Sequence, residues 1–270
     1  MAVFRTNPKR IIADTAFSAR LGMMVIDRLR DVKREEFDNV LWVGGGDAND
    51  LKIYKTISSI EQRAFPVEGA IDRFPYDENT FDLIIVTGGL NVVNDLPGAL
   101  VQMKRALKPD GLFMCVLPGG ETLYELRDSQ MRVETKLKSG AAPRVHPMID
   151  LQTFAGLMQR AGFALPVADA EKKEIFYEKF PVMLRDIKNS GEGMTLANAS
   201  PYPGKTFWNE VEADYRAHHL DHDGLLRMTV EIIHGIGWGP ADSQQKPLKP
   251  GSATGRLADV LGTSETKLPR

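Results

Sequence analysis

Val40-Leu41-Trp42-Val43-Gly44-Gly45-Gly46-Asp47-Ala48 (40–48) joins a compact apolar run to three consecutive glycines. Asp38-Asn39 precede it, and the abrupt change from bulky residues to glycine is what a buried parallel strand feeding a tight turn produces. Phe81 to Val86, FDLIIV, is the strongest further strand, and KTISSI (55–60) and LFMCVL (112–117) are two more. Asn94-Asp95-Leu96-Pro97 opens a helix that runs through Leu107, with Asn94 or Asp95 as cap and Pro97 in its first turn. Lys108-Pro109-Asp110-Gly111 closes it, and Leu151 to Ala161 forms another helix stopped at Gly162.

Strands alternating with helices predict an α/β fold, a parallel sheet with helices on both faces whose ligands sit at the carboxyl ends of the strands. Residues 7–30, with Ile11, Phe17, Leu21, Val25 and Leu29 near helical period, read as lead-in helices, so 1–38 forms an N-terminal helical segment. KKEIFYEKF (172–180) and RMTVEIIHGIGW (227–238) read as two long strands forming an antiparallel edge pair. The mostly helical stretch between them, 181–226, is expected to fold over the sheet's edge as a lid within a domain spanning 39–238. From Gly239 to 270, prolines and glycines among polar residues predict an extended, partly disordered tail.

The chain has 270 residues, 43% hydrophobic and 26% charged, with 34 Lys+Arg against 36 Asp+Glu. That balance describes a soluble globular protein and gives no global field toward nucleic acid or an anionic membrane. The single cysteine, Cys115, excludes an internal disulfide and a cysteine-based zinc cluster, and fits a reducing compartment. The expected location is therefore cytoplasmic, with the mitochondrial matrix as alternative because the opening MAVFRTNPKR is basic. No apolar run reaches the roughly 20 residues of a membrane span.

Several groups carry chemistry in one reading and plain structure in another. Gly44, Gly45 and Gly46 either present backbone N–H groups to a ligand or make a tight turn. Asp47 caps the next helix or meets a ligand hydroxyl. Glu61, after the second strand, stands where nucleotide-binding folds place a carboxylate for the ribose, or is a solvated surface residue. Tyr124 and Arg127, three apart after Gly119-Gly120, share a helical face that either holds a polar substrate or makes a surface salt bridge with Glu121 or Glu125. His218 and His222 would face together on a helix, but no third metal ligand has matched spacing, and a solvated turn fits them better. No metal is expected, and the methionines read as core filler.

Together the motifs resemble a class I S-adenosylmethionine-dependent methyltransferase. VLWVGGGDA (40–48) corresponds to the glycine-rich first motif, DRFPYDENTFDLIIV (72–86) leads into the fourth strand, and LKPDGLFMCVLPG (107–119) resembles the helix, turn and fifth strand. NDLPGAL, GGETLYELR, RVHPMIDLQTFAGLMQRAGF and IGWGPADSQQKPLKPGSAT are closest to the complex I assembly methyltransferase-like family, whose mitochondrial member is an arginine hydroxylase acting on a complex I subunit. The malonyl-carrier-protein methyltransferases share the scaffold but match the C-terminal half less.

The resemblance implies a Rossmann-like methyltransferase sheet that binds S-adenosylmethionine, with Gly44 to Gly46 at its methionine end and Glu61 on the ribose. Ala70 and Ile71 would lie at the adenine, with Thr87 and Gly88 beside the cleft. Tyr124 or Arg127 would orient the acceptor. It also implies a protein partner such as a respiratory complex I subunit. This chain departs from the family at the cofactor side. Trp42 replaces the acidic residue two places before the first glycine, Ala48 ends the motif, Ala70 replaces an aspartate, and Asn91-Val92 replace His-Trp. The step from Glu61 to Ala70 is nine residues, too short for a second helix and a third strand, since a parallel crossover needs about a dozen or more. A non-catalytic scaffold that lost competent cofactor binding is the competing expectation. A hydroxylase reading finds no His/His/carboxylate iron triad in the sequence.

Overall fold

The computed structural model describes residues 16–64, 73–138, 142–191, 193–197, 200–245, 252, 255 and 257–263. It has two compact units, 1–240 and 241–270.

The first unit is built on one six-stranded sheet in the order β2-β1-β3-β4-β6-β5. Its strands are β1 (Glu36–Gly44), β2 (Thr56–Arg63), β3 (Phe81–Thr87), β4 (Leu107–Pro118), β5 (Ala164–Tyr177) and β6 (Leu226–Trp238). The first four pair in parallel, and β6 is antiparallel to both β4 and β5. The methyltransferase-type α/β sheet and its antiparallel edge pair are therefore as the sequence predicts, although β5 begins at Ala164, well before the expected 172. A register shift between Ala164 and Val167, with Leu165 at φ 47°, accounts for that start: the strand bulges before settling against β6. With β2 at the far edge, the described residues contain no third parallel strand beyond it.

Strand residues alternate between two cores, as the two-residue period of a sheet requires. Val40, Trp42, Leu83, Ile85, Met114 and Val116 face one side, while Leu41, Val43, Ile84, Val86, Phe113 and Cys115 face the other. The second side is covered by α2 (Leu96–Ala106) and α4 (Leu151–Ala161). Asp95 caps α2 by accepting from Gly98 N, and Asp150 caps α4 by accepting from Thr153 N. Gly162, in the left-handed conformation at φ 85°, ends α4. The Lys108-to-Gly111 turn survives as a bulge inside β4, with Asp110 at φ 59°.

The first side is covered by α1 (Ala16–Arg30), α3 (Tyr124–Lys138), α5 (Phe180–Ser190) and α6 (Lys205–His218). The lead-in expected from residue 7 is described only from Ala16. Within the 181–226 stretch, expected as a lid, α5 packs against α1 and against the edge strand β5. Met183, Val211 and Tyr215 are each fully buried and join the core formed with α1 and the sheet, as the apolar stripes of amphipathic helices do. In the second unit the described residues include a turn, where Ala241 N donates to Gln244 Oε1, and the short helix α7 (Leu257–Leu261). No helix among the described residues is long and apolar enough to cross a membrane.

Candidate cofactor and acceptor cleft

β1 delivers its glycines to the carboxyl edge of the sheet between α1 and the end of β3. Gly44 has φ 108° and Gly46 φ 124°, conformations that disfavour a side chain. Space forbids one as well. A Cβ on Gly44 would lie 2.2 Å from Thr87 O, on Gly45 2.2 Å from Ser18 Oγ, and on Gly46 2.4 Å from the Trp42 ring. The triplet is thus required by the chain's own close packing.

Trp42 explains how the loop is held. Its indole is fully buried, and Nε1–H donates to Gly45 O and to Thr87 Oγ1, both at 3.2 Å. The Thr87 hydroxyl in turn donates to Gly45 O at 2.6 Å. A carboxylate at position 42 could accept from the Thr87 hydroxyl but could not bond the Gly45 carbonyl, so the exchange of carboxylate for indole changes the bonding of the turn. The ring lies under the loop and does not line the open space beside it.

That space is a hollow of about 520 Å³ bordered by Gly45, Gly46, Asp47, Asp50 and Gln62, with Met23 and Ile26 on its apolar flank. Asp47 caps the following 3-10 helix (Ala48–Ile53), its Oδ1 accepting from Asn49 N at 2.9 Å. Gln62 was not singled out by the sequence. Its Nε2 donates to Gly46 O at 2.7 Å and its Oε1 accepts from Ala48 N at 3.3 Å, latching the edge strand to the glycine turn. Its signal was the strand period, which puts Gln62 on the Trp42 side and Glu61 on the other.

Glu61 pairs in register with Leu41, three positions before Gly44, and it does not line the hollow. Its Oε1 accepts from Arg63 Nε at 2.7 Å and from the Tyr76 hydroxyl at 2.9 Å. Burial, with this carboxylate second, pushes the Tyr76 phenol up to about 12. Ala70 and Ile71 lie outside the described residues. Thr87 and Gly88 are buried, and Gly88 N donates to Val116 O at 2.8 Å. Their described role is to close the turn after β3.

Past that turn, Asn91 meets a loop from the distal half. His146 is buried, its Nε2 lies 2.9 Å from Asn91 O, and its Nδ1 lies 2.8 Å from the Thr195 hydroxyl. A carbonyl only accepts, so Nε2 carries the proton and Nδ1 receives the threonine hydrogen. Burial holds this imidazole below the usual histidine range.

The turn after β4 is equally crowded. Glu231 of β6 accepts from Glu121 N at 3.0 Å, and Glu125, wholly buried, accepts from Thr229 N at 3.1 Å and from its hydroxyl at 2.6 Å. Tyr124 and Arg127 do not converge on one point. The Tyr124 hydroxyl accepts from Arg227 at 3.0 Å, whereas Arg127 folds back to donate to Gly120 O at 2.7 Å. Glu121 pairs with Lys172 instead of Arg127. His218 ends α6, so His218 and His222 do not share a helical face. His219, buried against Tyr124 and Tyr215, stands beside Arg132 and Asp128. Among the described residues, three side chains close enough to share a metal are Asp221, His222 and Asp223, where His222 and Asp223 are exposed.

A twisted α/β sheet with a strand–glycine–helix turn at its carboxyl edge and an antiparallel strand beyond β4 defines the methyltransferase class. The profile of the methyltransferase domain matches residues 19–166. The fold is shared with the crystal structure of a methyltransferase candidate from Bacillus halodurans, at a TM-score of 0.52 and 14% identity over 80% of this chain and 97% of that one. The chain belongs to the class I S-adenosylmethionine-dependent methyltransferase family, close to the relatives named arginine-hydroxylase NDUFAF5. It is 37% identical to the mitochondrial arginine-hydroxylase NDUFAF5 of Mus musculus, over 89% of this chain and 76% of the mouse protein. To the protein of that name in Danio rerio it is 37% identical over 69% of its length, and it spans 58% of that relative.

Proposed function

We propose that this chain binds S-adenosylmethionine in the hollow beside Gly46 and acts on, or assists the assembly of, a protein partner such as a respiratory complex I subunit. The observation that carries the reading is the hollow itself. Its volume of about 520 Å³ falls in the range of small-molecule sites, roughly 300–1,000 Å³. Its donor set also fits: two carboxylates suit a ligand bearing an ammonium, a sulfonium and a ribose diol, and the flank of Met23 and Ile26 suits an apolar body. Trp42 stays below the loop and leaves this space open, so of the departures behind the non-catalytic reading this one does not block the hollow.

When bound, the cofactor supplies an electrophilic methyl group. Gly46, Asp47 and Asp50 would hold its polar parts, and Gln62 keeps the glycine turn in place against the edge strand. Positioning and exclusion of water account for much of the rate in such transfers, so a strong general base is not required of the chain. The arginine-hydroxylase name of the relatives adds oxygenation of a partner side chain as a second reading of the reaction. The same relatives, named as mitochondrial, support the matrix over the cytoplasm as the working compartment.

Calorimetric titration with S-adenosylmethionine should give one saturable site, weakened at least tenfold by Asp50→Lys. Gln62→Ala and Glu61→Ala separate the two candidate strand residues, and the larger loss is expected at Gln62. No heat and no thermal stabilisation at millimolar cofactor would sink the reading. Mass spectrometry of a captured partner then distinguishes an added methyl from an added oxygen.

A further inference from the structure

A second cavity, of about 370 Å³, opens between α3, α5 and α6 and shares no lining residue with the hollow beside Gly46. Its walls are aliphatic, with Leu123, Leu126, Val145, Leu184 and Ile187 on them and Trp208 as the one aromatic ring. Among the described lining residues three polar side chains interrupt them, Gln130, Arg144 and Lys188, and none is a carboxylate.

Arg144 is held firmly. Its side chain is 8% exposed, it donates to Glu134 Oε1 at 2.6 Å and to Pro201 O at 3.3 Å, and its guanidinium lies 4.9 Å from the centre of the Phe207 ring. Its Nε is buried and has no acceptor among the described residues. Lys188, exposed on α5, has no carboxylate partner among the described residues. Among the described residues the cavity thus presents an ammonium with no carboxylate partner and a guanidinium that, although paired with Glu134, keeps a spare N–H, both beside an aliphatic interior. That chemistry disfavours sugars and nucleobases, which need several directed donors and acceptors, and it disfavours cations. It suits an anion with a flexible hydrocarbon body, and the volume lies near the small end of ligand sites.

We propose that this cavity binds a medium-chain carboxylate, its hydrocarbon against the aliphatic walls of α3 and α5 and its carboxylate drawn by Arg144 and Lys188. The inference is independent of cofactor binding at Gly46. Octanoate titrated into the full chain, followed by calorimetry and by Trp208 emission, should show one saturable site. Octylamine, of the same length and opposite charge, should bind at least tenfold more weakly, as should uncharged octanol. Lys188→Glu should weaken octanoate at least tenfold, and Leu184→Trp, which fills the cavity from a half-buried position, should abolish binding. Trp208→Phe identifies the emitting residue. Failure to saturate with octanoate, equal binding of octylamine or octanol, or indifference to the Lys188 and Leu184 substitutions overturns the proposal; the first two comparisons use the unaltered chain and do not depend on any variant folding.

Discussion

Two glycine turns stand at the carboxyl edge of the sheet, Gly44 to Gly46 after β1 and Gly119-Gly120 after β4. In sequence they look alike, each an apolar strand passing through glycine toward a helix. Their surroundings differ. The β1 turn is fixed by an indole and a hydroxyl, Trp42 and Thr87, and it borders an open hollow. The β4 turn is fixed by carboxylates, and a Cβ on Gly119 would lie 2.4 Å from Glu231 Oε2. Glycine in both places answers to internal crowding. What separates the two turns is therefore the open space beside the first, which glycine alone does not reveal.

The comparison can be broken most sharply at Gly44. Gly44→Val adds both a positive-φ penalty and a backbone clash with Thr87 O, so it should cost about 4 kcal/mol or more and prevent folding in marginal conditions. Urea unfolding would check it, and a loss under 1 kcal/mol would show that the turn relaxes easily. At the β4 turn, Glu125→Ala strands the amide and hydroxyl of Thr229 in a buried site. A loss of about 2–4 kcal/mol is expected, given about 1–3 kcal/mol for each donor left unsatisfied. Thr87→Val tests the gentler fixation of the β1 turn. It keeps the shape but removes the hydroxyl, and a cost of about 1–2 kcal/mol by chemical denaturation is expected.

The smallest effect is a pH dependence that involves neither turn. Burial holds His146, His219 and His234 below the ordinary histidine range. The unfolded chain therefore takes up protons near pH 6.5, where the folded chain resists them. Stability from these groups is complete above about pH 6.5 and is lost as pH falls through the depressed folded values. Denaturation midpoints at pH 7.5 and 5.5 should show the decline, and His234→Leu should flatten it, because among the described residues neither ring nitrogen of the buried His234 has a hydrogen-bond partner, the Glu171 carboxylate standing 3.6 Å from Nε2. An unchanged slope in that variant would remove His234 from the account.

Much of the sheet was legible before any coordinates. FDLIIV, LFMCVL and the helix from Leu151 to Gly162 carry local signals that no tertiary contact opposes: continuous apolar strands, an aspartate cap and a left-handed glycine stop. The site was less legible. Glu61 fits a carboxylate expected after a strand, yet β2 continues to Arg63, and that length reflects pairing with β1 more than any local cue. Gln62, one residue later, faces the glycine turn because the register places it there. The 181–226 stretch reads as a separate cover, since its helices are amphipathic, but amphipathicity does not say which surface the apolar face meets. Tyr124 and Arg127 share a spacing, and their partners Arg227 and Gly120 pull them apart.

The sequence by itself determined the α/β class, the order of strands and helices along the chain and the family, because propensity, capping and two-residue alternation act over short distances. Only the tertiary structure decided what surrounds each glycine turn. The atoms that crowd Gly44, Gly45 and Gly119 come from Thr87, Ser18 and Glu231, residues remote in the chain and adjacent only after the sheet has formed. The same is true of both cavities, whose walls are assembled by packing between elements that no local pattern brings together.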